Sequence, residues 1–276
     1  NHFSRFFFSR AMFPPAQILK NIDVLDYVDM EDARRLIADL IASYRKMKNE
    51  GVVAIYQKER FDEYANFARI GNGSLGGKGR GLAFMGTMVK RYPKFERDNF
   101  SVNIPKTVVI ATDVFDEFME RGNLYPIALS DASDEEILQA FEKAELPERV
   151  LDDLIYLCEV VHGPIAVRSS SLLEDSHYQP FAGIYSTYMI PHPNVSSEGV
   201  DMLQRAIKGV YASVFYKDSK AYLTATQNLI DQEKMAIVLQ EVVGSAHGSY
   251  TDSEGRERPS YFYPTLSGVA RSLNFY

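Results

Sequence analysis

The sequence has one cysteine, no excess of basic residues and no apolar run near the roughly 20 residues a membrane-spanning helix needs. Each absence excludes something. A single cysteine, Cys158, allows no internal disulfide and points to a reducing cytoplasm. It lies in the apolar phase of LDDLIYLCEVV and reads as a small buried hydrophobe. Lys and Arg number 30 against 37 Asp and Glu, a formal net charge of -7, and the pI is about 5.4. A nucleic-acid backbone or an anionic membrane is therefore a poor main partner, and any bound anion must be held by locally placed cations. The opening NHFSRFFFSR is aromatic but short and broken by charges, so it is not read as a signal peptide. His2, His162, His192 and His247 show no metal-ligand spacing, and no metal-ligating set is assigned. Low-complexity runs and internal repeats are absent.

What is present is an ordinary globular composition, 46% apolar and 24% charged over 276 residues, enough for one large domain or two lobes. The chain starts without methionine and ends on NFY directly after a strand-like run, as a piece of a longer protein would. Residues 1–30 are aromatic and proline-interrupted. MEDARRLIADLIASYRKMKNEG then carries Leu36, Ile37, Leu40, Ile41 and Tyr44 at helical spacing, with Gly51 as a stop. The stretch GNGSLGGKGRG, preceded by the polar and helix-like FDEYANFARI, opens a helix whose Leu82, Met85, Met88 and Val89 share a face. KTVVIAT is β-rich and ends at Thr112, a candidate N-cap for DVFDEFMERG. Two further helices fit SDEEILQAFEKA and PERVLDDLIYLCEVV, the latter with Pro147 in its first turn. Residues 113–162 thus form a helical block between two strands. PIAVRSS and GIYSTYMI read as strands, and DMLQRAIKGVYASVFYKDSKAYL as one long amphipathic helix. KMAIVLQEVVG and PTLSGVARSL read as strands separated by a polar loop, HGSYTDSEGRERPS. The irregular alternation predicts an α+β fold, with mixed sheets and flanking helices, rather than a regular doubly wound sheet.

GNGSLGGKGRG admits three phosphate-binding readings. A Walker loop fails, because Asn72 stands where its first glycine belongs and Gly79 where its hydroxyl belongs. A dinucleotide GxGxxG frame is satisfied by Gly71, Gly73 and Gly76, but the segment before it does not read as a buried strand and no acidic residue closing a βαβ unit stands about twenty residues on. The third reading needs only backbone amides, the N-terminus of the following helix and the charge of Lys78. A flexible surface turn is its bland alternative. Arg168 stands near the end of the strand PIAVRSS, where a guanidinium can grip a phosphate through two parallel hydrogen bonds or form a surface ion pair. Ser171 and Glu174 match a capping box, and SSSLLEDSH lacks the frame of a Ser-His-Asp hydrolase. The strand MAIVLQEVV is apolar until Gln240 and Glu241, and suits either an adenine slot or a central core position.

Taken together, GGKGRGLAFM, IPKTVVIAT, IAVRSSSLLEDSHYQPFAGIYSTYM, VYASVFYKDSKAY, MAIVLQEVV and LSGVA resemble, in order, the nucleotide-binding part of the phosphoenolpyruvate synthase and pyruvate phosphate dikinase family, over roughly residues 71–271. The resemblance implies an ATP-grasp fold with ATP between two lobes. It also implies transfer of a phosphoryl group from ATP to a histidine on a swivelling domain, and then to pyruvate in a barrel domain. Those two domains are the implied partners, with ATP and Mg2+ the implied cofactors and a cytoplasmic setting. Carried over by motif, Lys78 and Arg168 are phosphate ligands, Gly76, Gly77 and Gly79 frame the lysine loop, and Gly183 and Thr187 fall on a phosphate-side cover. Gln240, Glu241 and Val243 fall on the segment that contacts adenine and ribose. The chain departs from the family at Ala270, Arg271 and Ser272, and the acidic magnesium ligands are expected beyond Tyr276. The resulting division is a helical lead-in over 1–70, a first lobe over 71–230 with an insertion at 113–162, and the start of an adenine-binding second lobe, itself incomplete, over 231–276. Such a portion is expected to be inactive alone. The competing expectations are a non-catalytic nucleotide-sensing module, or a relative that phosphorylates a glucan or an antibiotic.

Overall fold

The computed structural model describes residues 2–22, 29–49, 53–56, 65–92, 101–161, 163–171, 183–191, 197–225, 233–251 and 255–269. In chain order these form α1 (His2–Ser9), α2 (Phe13–Lys20), α3 (Met30–Asn49), β1 (Ala54–Ile55), β2 (Phe67–Ile70), α4 (Gly76–Arg91), β3 (Thr107–Ile110) and α5 (Thr112–Arg121). Then come α6 (Tyr125–Ala128), α7 (Asp134–Lys143), α8 (Glu148–Val160), β4 (Ile165–Ser171), β5 (Thr187–Ile190), α9 (Ser197–Ser213), α10 (Lys217–Ala225), β6 (Met235–Glu241), β7 (Ser245–Thr251) and β8 (Glu257–Tyr263). The fold is α+β, as composition and alternation predicted.

The centre is a six-stranded mixed sheet in the order β1-β2-β3-β6-β4-β5. The β1–β2 and β2–β3 pairs are parallel, and β3–β6, β6–β4 and β4–β5 are antiparallel. Strand side chains alternate between faces, and here the two faces differ. Ile70, Ile110, Val167, Ile237 and Leu239 face a large core completed by Phe115, Phe118, Phe141, Leu154, Tyr211 and Phe215. Two of its aromatic pairs meet edge to face, Phe115 and Tyr211 at 5.0 Å and Phe118 and Phe141 at 5.9 Å, while Phe115 and Phe215 stack at 6.4 Å. On the other face Phe67, Val109, Ala236 and Val238 are covered by Leu75, Leu82 and Ala83 of the glycine loop and α4. The amino-terminal helices form a third, small cluster of Phe7, Ala16 and Leu19 against Leu36, Ile37, Leu40 and Ile41.

Several elements differ from the sequence reading. FARI is a buried parallel strand, β2, so the glycine loop does follow a strand, and β1 and β2 place part of the expected helical lead-in within the sheet. β6, set by the sequence at the head of a second lobe, is hydrogen-bonded between β3 and β4. The expected long helix is broken into α9 and α10. Ser213 Oγ donates to the Val210 carbonyl at 2.7 Å, Ser219 Oγ to the Ser213 carbonyl at 2.6 Å, and Asp134 caps the new start by accepting from the Lys217 amide at 2.8 Å. The polar stretch read as a loop is the hairpin β7–β8, and residues 264–269, read as the beginning of a strand, lie outside strands. Thr112 is the first helical residue of α5 and Ala111 its cap. Ser171 ends β4, while Glu174, His162, His192 and residues 270–276 lie outside the described residues. Met85 is exposed, so the helical face proposed for α4 is only partly covered.

The block between β3 and β4 is helical, as expected. α7 starts with a capping box, in which Ser133 Oγ accepts from the Glu136 amide at 3.3 Å while the Glu136 carboxylate accepts from the Ser133 amide at 2.8 Å. Among the described residues no helix is long and apolar enough to cross a membrane.

Candidate functional site

The glycine loop joins β2 to α4 and is gripped from two sides. On one side is the start of α5. Asp113 accepts from the amides of Asn72 and Gly73, both at 2.9 Å, and Thr112 Oγ1 accepts from the Ser74 amide at 3.0 Å. The Thr112 amide returns a bond to the Ser74 carbonyl at 3.0 Å. On the other side is β4, where Ser170 Oγ donates to the Leu75 carbonyl at 2.8 Å and accepts from the Gly79 amide at 3.0 Å. Gly76 is required there. Its φ of +67° favours glycine, and an added Cβ would overlap the Ser170 carbonyl oxygen. Burial pushes the Asp113 carboxyl up, but the Asn72 and Gly73 amides and the Arg149 charge pull harder, so it is held below the usual aspartate value. It is the anion that the first half of the loop already holds.

The second half, Gly76–Gly79, is the first turn of α4, and it carries no acidic residue to oppose an anion. Gly76, Gly77 and Gly79 are buried, and Lys78 reaches toward Ser169 Oγ at 3.4 Å. Arg168 lies two residues before Ser170 on β4, so the two share a face about 7 Å apart. Its register partners are Thr187 on β5 and Val238 on β6. Among the described residues no hydrogen bond or ion pair engages its guanidinium. Thr187 is exposed beside it. Val238 precedes Glu241 by three residues, about 10 Å along β6.

At that end of β6, Gln240 lies on the α4 side of the sheet and donates to Thr107 Oγ1 at 3.1 Å. The Glu241 and Val242 amides are spent on the Lys106 and Pro164 carbonyls, at 2.9 and 2.8 Å. Val243 follows, 61% exposed, and its amide has no partner among the described residues. Gly183 stands apart in an exposed turn with φ +81° and open space around it. The structure therefore lines up the loop, Arg168 with Thr187, and Gln240 along one open sheet face, with exposed Val243 just beyond. It does not bring Gly183 against them. Glu241 is in register with Ile165, turns to the other face and lies beside Gly163. Two surface hollows, of about 390 Å³ beside Arg121 and Lys143 and about 320 Å³ beside Asp201 and Arg205, lie elsewhere.

Asp113, Thr112 and Ser170 were not singled out as site residues from the sequence. Ser170 lay within the quoted VRSS motif, but no local pattern marks Asp113, whose partners are some forty residues upstream. Cys158 is buried, and burial raises its thiol to about 11, which keeps it out of nucleophilic chemistry.

The model of one family, described as pyruvate phosphate dikinase, AMP/ATP-binding domain, matches residues 72–275. The chain belongs to that family. The match begins inside the glycine loop, so this AMP/ATP-binding domain includes the loop, Arg168 and the end of β6. Its architecture is ATP-grasp-like, and it is an ATP-binding portion of an enzyme of the pyruvate phosphate dikinase family. A search of the curated proteins finds no match. ATP fits the residues of this domain: the Gly76–Gly79 turn leaves no room for a side chain against Ser170, and an unengaged guanidinium stands next to it. Mg2+ does not fit in the same way, since among the described residues no group of three His, Cys, Asp or Glu side chains could hold a metal ion.

Proposed function

We propose that this domain holds ATP along the open face of the six-stranded sheet and presents its phosphates for transfer to a histidine on a separate domain, with pyruvate as the eventual acceptor in a third. The observation that supports this most strongly is the linear order of the groups. Gln240 at the end of β6, the Arg168 guanidinium, which no described residue engages, and the start of α4 at Gly76–Gly79 succeed one another over the span of an extended nucleoside triphosphate.

In this reading the Val243 amide donates to the edge of adenine, and the ring lies against the branched side chains of Val242 and Val243. Arg168 grips the triphosphate through paired hydrogen bonds. Lys78 and the positive end of the α4 dipole neutralise the terminal phosphates, and Thr187 offers a hydroxyl on the β5 side. Phosphoryl transfer rests mainly on such positioning and charge neutralisation. No step is assigned to a metal within the described residues. Because the histidine and the acceptor are on other domains, this portion alone binds ATP without turnover, in the cytoplasm where ATP is supplied.

Calorimetric titration of the protein with ATP, with and without Mg2+, tests the assignment. Removing a charged phosphate ligand costs roughly 1.5–3 kcal/mol, so Arg168→Ala and Lys78→Ala are each expected to raise Kd by about tenfold to a hundredfold. Wild-type affinity in both variants refutes the site.

A further inference from the structure

The glycine loop contains two places where backbone amides converge, and only one faces the open sheet. At the first, the Asn72 and Gly73 amides both point at the carboxylate of Asp113, at 2.9 Å each. Two amides of successive residues aimed at one carboxylate is the geometry by which a backbone nest holds a phosphate. An added Cβ at Gly71 would overlap Asp113 Oδ1, and φ there is +90°, so the loop is shaped around this side chain. At the second, the Gly76–Gly79 turn, the amides of Gly76 and Gly79 are held by the neutral hydroxyls of Ser74 and Ser170.

We propose that Asp113 is a positioning residue that acts as a resident anion: its carboxylate fills the first nest of the glycine loop, fixes the Gly71–Gly73 turn, and leaves the Gly76–Gly79 turn as the part that receives the triphosphate. This rests on the nucleotide reading of the site given above. Asp113 touches no ligand in this scheme. It acts through two amides, and Thr112 beside it locks the next residue by exchanging bonds with Ser74. The arrangement also settles which of the overlapping glycine frames carries function. Gly71 and Gly73 of the GxGxxG frame serve an internal carboxylate, so that frame is not a dinucleotide site even though it follows the buried strand β2.

The test is chemical rescue in the full-length protein. Asp113→Ala leaves the two amides facing a space of carboxylate size, and ATP affinity is expected to fall roughly tenfold or more through loss of charge-assisted hydrogen bonds. Sodium formate, compared with sodium chloride at equal ionic strength, should restore part of that loss and leave wild type and Lys78→Ala unmoved. A loss that formate does not relieve assigns the effect to general destabilisation and overturns the proposal. Asp113→Asn covers the case in which the alanine variant fails to fold. It keeps the size of the side chain but offers one accepting oxygen and turns an NH2 toward the second amide, so a rise in Kd is expected together with a lowered melting temperature, whereas wild-type affinity overturns the proposal. Failure of the nucleotide reading shows differently: Lys78→Ala and Arg168→Ala then bind ATP as wild type does, whatever the Asp113 variants do.

Discussion

The two faces of the six-stranded sheet are built from the same strands and do opposite things. On the closed face, Ile70, Ile110, Val167, Ile237 and Leu239 are at most 2% exposed beneath α5, α8 and α9. On the open face, the glycine loop and α4 cover Phe67, Val109, Ala236, Val238 and Ser170, and beyond them stand Arg168, Thr187, Gln240 and Met189, the last 63% exposed. One residue step along a strand exchanges one role for the other. Val167 is core, and Arg168 is a half-buried cation of the candidate site. The large core thus lies on one side of a layer a single backbone thick, and the candidate site on the other.

That separation can be broken by substitution. Phe118→Ala, on the closed face, should have the largest effect. Phe118 is fully buried among Phe141, Tyr211 and Met119, and its truncation should cost about 3–5 kcal/mol in urea denaturation while the molecules that remain folded keep wild-type ATP affinity. Lost affinity in the folded fraction would join the two faces. Gly76→Ala crosses the boundary, because it forces an alanine into left-handed geometry, at about 1–3 kcal/mol, and displaces β4 at Ser170. Stability and ATP binding should fall together, unlike in Arg168→Ala, where binding falls alone. Ser133→Ala removes the cap of α7, remote from the site, and should cost about 1 kcal/mol of stability with no change in Kd.

The smallest effect is a pH dependence. Asp113 and Glu136 both have folded-state values below their ordinary 3.8 and 4.5, the first through the loop amides against the pull of burial and the second through the Ser133 amide and hydroxyl. A lowered carboxyl contributes stability that is fully present above its unfolded value and is lost as pH falls through the folded one. Stability should therefore decline below about pH 4.5, and the decline should be shallower in Asp113→Asn and in Ser133→Ala than in wild type. Parallel acid limbs in all three proteins would contradict both assignments.

Legibility in the sequence follows the same division. Elements with strong apolar patterning announced themselves: α3 and the helices between β3 and β4 carry helical spacing, and the strands over 107–110 and 165–171, buried on both faces, begin with short apolar runs. The hairpin β7–β8 did not, because the described residues of β7 are exposed throughout and alternation has nothing to report. β2 is four residues long and follows a polar stretch, too short for a period to emerge. The break after Ser213 depends on Asp134 from another helix, which no window of sequence contains. Of the site, Lys78 and Arg168 were visible as cations in unusual company. Asp113 was not, because an aspartate in the first turn of a helix is ordinary and its distinction lies in a loop some forty residues earlier.

The placement of β6 has a consequence for the order in which the molecule can be assembled. It is sixth in sequence yet separates β3 from β4, pairing Val108 with Leu239 and Ala166 with Gln240. During synthesis, everything through α10 leaves the ribosome before the strand that joins the two halves of the sheet exists. Until then β3 and β4 each present an unsatisfied edge, open to pairing with another nascent chain. The strand that carries Gln240, a residue of the candidate site, is thus also the one that joins the sheet, and a chain that stops before Met235 has no continuous sheet.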